Sequence, residues 1–370
     1  MPIISGPTVP MTTLFSPFTI GDLSLPSRIV MAPMTRRRAS HGKIPGELNA
    51  LYYAQRATAG LIIAESTEVD PFSAIDVPAR PGLTNDAQQS GWRLVADAVH
   101  SAGGRIFVQL SHMGRTAHPS QLLDGRQPVG PSALRAAGTV YTAEGVQPYA
   151  TPQALDPAGI ASIVVEFASA AARARLAGFD GIEIHAANGY LIDQFLRDGS
   201  NIRTDHYGGS LKNRARILLE IVEAVSAHWP VNRIGVRLSP TNPYQGMYDS
   251  NPASHFPEIA RLLDPIGLAY LHVVEPPAQP GEHPVTASAI RAAFAGPLIL
   301  AGGYKRADAE YALVTARADL IAFGEAFIAN PDLPQRWLQG AVLNAADKST
   351  YYSGGARGYT DYPCLELVEN

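Results

Sequence analysis

Short apolar strands alternate with helical segments along nearly the whole chain, and this alternation restricts the fold more than any other feature. Eight such strands recur, at 28–33, 61–66, 105–110, 181–185, 233–239, 270–275, 297–303 and 320–325. The clearest helical segment spans 211–229, with Ser210 as its predicted N-cap. Eight near-even units without a break in composition predict a (β/α)8 barrel, and a doubly wound parallel sheet is the alternative.

Two segments fall outside this repeat. Residues 14–26 are predicted to form a hairpin that turns at Gly21–Asp22 and plugs the barrel from below. Residues 111–155 are rich in Gly and Pro and too long for an ordinary connection, so we expect a lid insertion after the third strand. We therefore interpret 1–370 as a single domain in which 1–13 form a loose tail.

Composition excludes several classes of function. The formal net charge of −4 over 370 residues gives no reason to expect nucleic acid or an anionic membrane as a partner. The sequence shows no apolar stretch long enough to span a bilayer and no signal-peptide pattern at its start. The single cysteine, Cys364, suits a reducing compartment, so a cytoplasmic location is predicted.

Polar side chains on three strands are predicted to face the barrel interior. Alternation places the apolar residues of each strand toward the helices and leaves Gln109, His185 and Arg237 inside, near the C-terminal strand ends where barrel enzymes hold their active sites. Buried Gln and His side chains are often only structural. A buried guanidinium needs a counter-charge, which Glu183 or a bound anionic cofactor would supply.

The ends of strands seven and eight both carry glycine. Gly302 and Gly303 lie at the end of the seventh predicted strand, and Gly324 lies near the end of the eighth. Barrels often bind a phosphate with backbone N–H groups from these two loops, although glycine is also common in ordinary turns. The two ends together are consistent with a phosphate site.

Several motifs, in order along the chain, resemble the old yellow enzyme family of flavin-dependent ene-reductases. They include SRIVMAPMTRRRA (27–39), VQLSHMGR (108–115), GVRLSP (235–240), FIANPDLP (327–334) and, as the most specific block, IEIHAANGYLIDQFL (182–196) continuing to residue 216. Thr35 and GYTDYP (358–363) place the chain nearer the main subclass. The resemblance implies an eight-stranded barrel that binds FMN tightly and uses NAD(P)H as co-substrate.

The resemblance also implies roles for individual residues. Its catalytic set holds a small unsaturated carbonyl or nitro substrate by its oxygen through His185 and Asn188, while Tyr190 donates a proton and Tyr362 covers the pocket. Reduction of the C=C bond would follow ping-pong kinetics, in a monomer or homodimer. The implied FMN contacts are Pro33, Met34, Thr35, Ser66, Gln109, Arg237, Gly302, Gly303 and Gly324.

Two positions depart from the family pattern. Ser111 replaces a tryptophan that is usual in the family, which predicts a roomier substrate pocket. Glu325 stands where many members have a basic residue on the FMN phosphate. Either Glu325 turns outward and backbone N–H groups suffice, which we favour with Lys305 as support, or Lys305 or Arg306 supplies the positive charge.

Other functions on a barrel fit less well. An aldolase would need a lysine near the end of strand six, and 270–275 contains none. The first strand offers no histidine pair, and His112 and His118 lack a supporting carboxylate pattern, so no metal is predicted. Amine dehydrogenases share the flavin site without the compact His–Asn–Tyr arrangement. A flavin-binding protein without turnover is the non-enzymatic alternative, and only Glu325 favours it.

Overall fold

The computed structural model describes residues 12–73, 80–274 and 285–365. The predicted tail therefore lies outside the described residues as far as residue 11, as does the end of the sixth predicted strand at Glu275. The strands are β1 Phe18–Ile20, β2 Leu23–Leu25, β3 Ile29–Met31, β4 Leu61–Glu68, β5 Ile106–Ser111, β6 Val129–Gly130, β7 Thr139–Thr142, β8 Gly145–Pro148, β9 Gln153–Ala154, β10 Gly181–Ala186, β11 Ile234–Leu238, β12 Tyr270–Val274, β13 Leu298–Ala301 and β14 Leu320–Phe323. The helices are α1 Glu47–Ala54, α2 Asp86–Ser101, α3 Pro157–Leu176, α4 Leu191–Leu196, α5 Leu211–Arg214, α6 Arg216–Ser226, α7 Pro252–Leu263, α8 Val285–Ala293, α9 Arg306–Val314, α10 Glu325–Ala329 and α11 Leu333–Gln339.

Eight parallel strands close into a barrel, which confirms the predicted (β/α)8 fold and excludes the doubly wound sheet. The order around the barrel is β3, β4, β5, β10, β11, β12, β13 and β14, and β14 pairs with β3 to close it. Each of these strands lies within or next to one of the eight predicted segments. None of the helices within the described ranges is long and apolar enough to cross a lipid bilayer.

The N-terminal hairpin closes one end of the barrel, as predicted. Strands β1 and β2 pair antiparallel around Gly21. Ile20 and Leu23 of the hairpin belong to the same buried cluster as Ile63 and Phe107, which lie on β4 and β5. Gly21 has a φ of 57°, and a Cβ atom there would lie 2.8 Å from Asn232, so the turn requires glycine. The hairpin therefore fills the lower part of the barrel interior.

The single helix predicted over 211–229 is wrong in two respects. Ser210 caps the segment as predicted, since its Oγ accepts a hydrogen bond from the Asn213 N–H. The backbone then tightens at Ala215, whose ψ is −11°, and divides the segment into α5 and α6. The second helix ends at Ser226, beyond which the Trp229 indole donates to the Ala171 carbonyl of α3. Packing against neighbouring elements thus overrides the continuous helical pattern.

The insertion at 111–155 consists of short turns and two small sheets. Strand β6 pairs in parallel with β9, and β7 and β8 form an antiparallel hairpin. The Arg203 guanidinium donates to the carbonyl oxygens of Pro131 and Leu155, and Arg115 donates to that of Leu134. Arg203 therefore fastens the insertion to the rest of the protein, whereas Arg115 connects two parts of the insertion itself. Its role as a lid stays a prediction.

A cavity of about 460 Å³ lies between the insertion and α3, and a carboxyl group lines it. Glu166 approaches His112 and Asp70 there, with one ligand-type atom from each within 4.8 Å of the others. His112 Nδ1 accepts a hydrogen bond from the Gly114 N–H, so its Nε2 carries the proton and offers no lone pair to a metal. Burial, followed by the charge of Asp70, raises the pKa of Glu166 to about 8.

Replacing Glu166 with glutamine should stabilise the protein at alkaline pH. The folded pKa of Glu166 exceeds its unfolded value of 4.5, so its contribution to stability is present below pH 4.5 and is lost as the pH rises to about 8. Glu166→Gln removes this loss and should raise the free energy of unfolding by roughly 2–4 kcal/mol at pH 8, with little effect at pH 4.5. Urea denaturation at both pH values, with exposed Glu223→Gln as control, measures the difference. An equal change at both pH values would contradict the prediction.

Candidate active site

A row of polar side chains crosses the barrel interior near the C-terminal strand ends. Glu183 lies opposite Gln109 in the strand register, and His185, Arg237 and His272 lie side by side on β10, β11 and β12. All five are buried. Neighbouring strand residues such as Ile184 and Val236 belong to the hydrophobic cluster formed with the surrounding helices. Gln109, His185 and Arg237 therefore face the barrel interior, as predicted.

Glu183 connects this row and supplies its negative charge. Its carboxylate accepts a 2.7 Å hydrogen bond from Gln109 Nε2 and lies 2.8 Å from His272 Nδ1. Burial alone would raise the pKa of Glu183, but the interactions with His272, Arg237 and Gln109 outweigh it, and the pKa is lowered. Glu183 is therefore an anion that partly balances Arg237. Alternation along β12 also predicts an inward His272, which the sequence analysis missed.

Several buried polar atoms near this row have no hydrogen-bond partner within the described ranges. They are Ser66 Oγ, Ser111 Oγ, His185 Nδ1 and Arg237 Nε. Unpaired buried polar atoms are costly unless a bound ligand satisfies them. The set contains donors of the kind that pair with the carbonyl oxygens and ring nitrogens of a flavin, so the residues present fit the FMN ring.

The predicted phosphate cradle has the backbone conformation that glycine allows. Gly302 and Gly303 have φ values of 139° and 86°, in the region that side chains rarely adopt. A Cβ atom at Gly324 would lie 3.3 Å from the Met34 sulfur, so the turn at Gly324 packs closely against the segment after β3 that contains Met34. Successive exposed N–H groups in such turns suit an anion. These positions fit the phosphate end of FMN.

Glu325 is turned toward residues 347–363, which we call the C-terminal segment. Its carboxylate accepts a 2.7 Å hydrogen bond from the Tyr351 hydroxyl and lies 3.5 Å from Lys348 Nζ. These contacts lower the pKa of Glu325, and the Tyr351 hydrogen bond is the main cause. Arg306 donates to the Trp337 carbonyl, whereas Lys305 is an exposed residue at the start of α9. Of the two neighbouring cations, Lys305 is therefore the freer one.

The loop after β10 carries the predicted catalytic side chains. The ring of His185 lies 4.9 Å from that of Tyr190, edge to face at 63°. Between them the backbone passes through left-handed conformations at Asn188, φ 57°, and Gly189, φ 78°. Asparagine tolerates this region better than most residues, and glycine tolerates it freely. The tight turn brings His185, Asn188 and Tyr190 to the same end of the barrel.

Hydrogen bonds from the next loop orient Asn188. Its amide oxygen accepts a 2.8 Å bond from Asn242 Nδ2, and its backbone N–H donates to Ser239 Oγ at 2.7 Å. With the oxygen occupied, the Asn188 amide presents its N–H groups as donors. Asn242 and Ser239 follow β11 and were missed, because their sequence separation of more than fifty residues hides the contact.

A buried polar group beneath the loop fixes its shape. Asp193 accepts from the Gly189 N–H and from Arg197 Nε, both at 2.8 Å, and Gln194 Nε2 donates to the Gly189 carbonyl at 2.7 Å. Asp193 and Gln194 belong to α4, which is buried along its whole length, and Arg197 directly follows it. Polar residues within the otherwise apolar LIDQFL segment were the signal that the sequence analysis passed over.

The protonation states suit hydrogen-bond donation and proton transfer. Burial, followed by Arg237, His272 and Arg80, holds the pKa of His185 well below its usual value, so the imidazole is neutral at pH 7. Burial raises the pKa of Tyr190 against the lowering effects of Arg80 and Arg37, so its hydroxyl stays protonated. The site therefore combines neutral donors for a developing negative charge with an acid.

Of the two C-terminal tyrosines Tyr352 and Tyr362, only Tyr352 lines the same cavity as Ser111. Ser111 lines a cavity of about 390 Å³ together with Tyr352. Tyr362, the predicted cover, instead accepts a hydrogen bond from the Asp347 N–H at 2.9 Å. The structure therefore brings Tyr352, and not Tyr362, to the cavity that Ser111 lines.

Comparison with known proteins identifies the family. The sequence model of the family described as NADH:flavin oxidoreductase / NADH oxidase matches residues 13–344. Flavin oxidoreductase hxnT of Emericella nidulans is 40% identical over 389 residues, covering 97% of this chain and 99% of the relative. 12-oxophytodienoate reductase 1 of Oryza sativa subsp. japonica is 39% identical over 363 residues, covering 96% and 94%.

Solved structures of enzymes with a similar sequence share the fold of this chain. Morphinone reductase in complex with tetrahydroNAD superposes with a TM-score of 0.91 at 46% identity, covering 97% of this chain and 99% of the other. The old yellow enzyme homologue from Zymomonas mobilis gives 0.91 at 42% identity, covering 95% and 100%. Family, fold and donor set therefore agree: the chain belongs to the NADH:flavin oxidoreductase / NADH oxidase family, that of old yellow enzyme, and is an FMN-dependent NAD(P)H oxidoreductase that acts on small molecules.

Proposed function

We propose that this enzyme reduces the C=C bond of α,β-unsaturated carbonyl or nitro compounds with NAD(P)H in a ping-pong reaction. The convergence of His185, Asn188 and Tyr190 above the buried polar row is the observation that carries the proposal. Bound FMN would supply the redox chemistry, the transfer of hydride from NAD(P)H to the β-carbon of the substrate. The side chains then have to hold the substrate oxygen and provide one proton.

The barrel interior would hold the cofactor. The unpaired atoms of Ser66 and Arg237, with Gln109 beside Glu183, would contact the flavin ring and ribityl chain. Pro33, Met34 and Thr35 follow β3 and would line the ring, while the Gly302–Gly303 and Gly324 turns would bind the phosphate. The outward-turned Glu325 leaves the phosphate to backbone N–H groups, with Lys305 as support.

His185 and Asn188 would share one substrate oxygen. A neutral imidazole N–H and an amide N–H fixed by Asn242 both stabilise negative charge that develops on this oxygen, as an oxyanion hole does. Tyr190 would give its proton to the α-carbon. Its raised pKa keeps the proton in place until carbon takes it.

Further properties are proposed on the same basis. Ser111, whose small side chain lines the 390 Å³ cavity, would admit bulkier enones than a tryptophan would, and Tyr362 would cover the pocket only after moving from Asp347. We infer a single domain, a monomeric or homodimeric state and a cytoplasmic location. The free thiol of Cys364 is consistent with a reducing compartment.

The flavin spectrum tests the proposed function. Purified protein should be yellow, should bleach when NADPH or NADH is added without oxygen, and should regain its colour when 2-cyclohexenone follows. Bleaching without recovery by the enone would contradict ene-reduction and would leave a flavin-binding protein without this turnover. Failure to take up FMN would contradict the whole proposal. Double-reciprocal plots of rate against NADPH concentration at several enone concentrations test the ping-pong order, which predicts parallel lines.

A further inference from the structure

Three consecutive arginines follow β3, and two of them are fully engaged in the structure. Arg36 is buried and donates to the Tyr351 carbonyl at 3.0 Å and the Gly358 carbonyl at 2.7 Å. Arg38 donates to several carbonyl oxygens of the same C-terminal segment, including Thr350 at 2.6 Å. Both side chains hold the C-terminal segment on the barrel, so neither is available to a ligand.

Arg37 differs from both neighbours. Its φ of 54° lies in the left-handed region, which is sparsely populated for arginine and is often found at functional sites. Its side chain lines the 390 Å³ cavity that Ser111 also lines. Its guanidinium lies 5.6 Å from the centroid of the Tyr352 ring. Among the described residues it has no ion pair.

Among the described residues that line this cavity, positively charged side chains outnumber negatively charged ones. Lys43 and Arg80 both approach the same carboxylate, Glu68, with Arg80 Nε at 3.4 Å. Asp70, the other acidic lining residue, accepts from the Phe72 N–H at 2.8 Å. Among the lining residues that the structure describes, two carboxylates thus face three cations.

Arg37 also lies near a second guanidinium, that of Arg80, and near the proposed proton donor Tyr190. Burial, and then the charge of Arg80, lower its pKa. The cavity also adjoins the proposed proton donor. His112 follows Ser111, which lines the cavity, and its carbonyl accepts a 3.0 Å hydrogen bond from the N–H of Leu191, the residue after Tyr190. The charges of Arg80 and Arg37 both lower the pKa of the Tyr190 hydroxyl. A cavity that holds two guanidiniums beside the reaction centre is suited to an anion.

We propose that Arg37, supported by Arg80, forms a subsite for an anionic group of the ligand that occupies the active site. The group is a carboxylate or a phosphate, which guanidinium recognises through charge-assisted hydrogen bonds. Two sources share this chemistry: a carboxylate on the alkene substrate, or the 2′-phosphate that distinguishes NADPH from NADH. The inference rests on the proposed function, because it assigns part of the specificity of that same site.

Selectivity ratios in the FMN-loaded enzyme test this subsite. One arm compares NADPH with NADH in anaerobic flavin reduction. The other compares trans-4-oxo-2-pentenoate with its neutral methyl ester in reoxidation of chemically reduced enzyme. Arg37→Gln should lower the preference for the member that carries the additional anionic group, NADPH or the free acid, by about tenfold in one pair, the value of one charge-assisted hydrogen bond. Arg37→Glu should lower it further, and about 0.5 M salt should weaken the wild-type preference.

Controls separate the possible outcomes. Arg261→Gln removes the same charge from an exposed helical ion pair with Glu258 and should leave both ratios unchanged. If the substrate carboxylate occupies the subsite, a direct titration of oxidised enzyme with the carboxylate and the ester should show the same change in dissociation constant. A change confined to NADPH/NADH assigns the subsite to phosphate, and one confined to acid/ester assigns it to the substrate. If both ratios stay within twofold while wild type still reduces 2-cyclohexenone, this inference is overturned and the proposed function stands.

Discussion

Replacing His185 or Asn188 with alanine should slow hydride transfer to an enone by about 10²- to 10³-fold, as removal of one oxyanion-hole donor does. Both side chains are fixed before the substrate arrives, Asn188 through Asn242 and His185 through its buried position on β10. The effect should fall on the chemical step. Stopped-flow reoxidation of chemically reduced enzyme by 2-cyclohexenone measures it without the coenzyme half-reaction.

A graded variant distinguishes orientation from simple loss of structure. Asn242→Ala removes the 2.8 Å bond that orients the Asn188 amide but leaves the amide itself in place. This variant should slow reoxidation by 2-cyclohexenone about tenfold, as expected for loss of one hydrogen bond. Asn251→Ala, which removes only the N-cap of α7, is the matched control. Wild-type reoxidation rates in both His185→Ala and Asn188→Ala, with normal flavin spectra, would refute the assigned roles.

Glu183→Gln should destabilise the apoprotein by roughly 3–5 kcal/mol, because it leaves a buried guanidinium without its counter-charge. Glu183 has no solvent exposure and interacts with Gln109, His272 and Arg237. Its folded pKa lies below the unfolded value of 4.5, so its contribution is present above pH 4.5 and is lost as the pH falls. Urea unfolding of apoprotein at pH 7 measures the loss, which should shrink on acidification.

The matched control is Glu258→Gln, which neutralises an exposed carboxylate paired with Arg261 on α7. Exposed pairs contribute about 0–1 kcal/mol, so this variant should unfold at nearly the wild-type urea concentration. Equal stability of Glu183→Gln and wild type would show that Arg237 does not depend on this carboxylate.

Local rules predicted the barrel because each strand and helix carries its own period. Alternation along β5, β10 and β11 also placed Gln109, His185 and Arg237 inside, and the same rule predicts His272 on β12. Residues that act through tertiary contacts could not be found in this way. Asn242 reaches Asn188 from the following strand loop, and no local pattern connects them.

Backbone conformation also lay beyond the sequence patterns. Nothing in three consecutive arginines shows that the middle one adopts a left-handed φ while its neighbours bind distant carbonyl oxygens. The same holds for Tyr352, which lines the Ser111 cavity because the C-terminal segment packs near the loop after β3. These features depend on which segments meet, and this is fixed only when the barrel closes.

The bonds from Arg36 to the C-terminal segment have a consequence for biosynthesis. Arg36 donates to Gly358, 322 positions later in the chain, and Tyr359 stacks on Tyr52 with ring centroids 4.0 Å apart. The loop that would line the flavin is thus fastened by residues that leave the ribosome more than three hundred positions later. Long-range contacts of this kind form late. We therefore expect a nascent chain to remain unable to capture its cofactor until translation has passed residue 359.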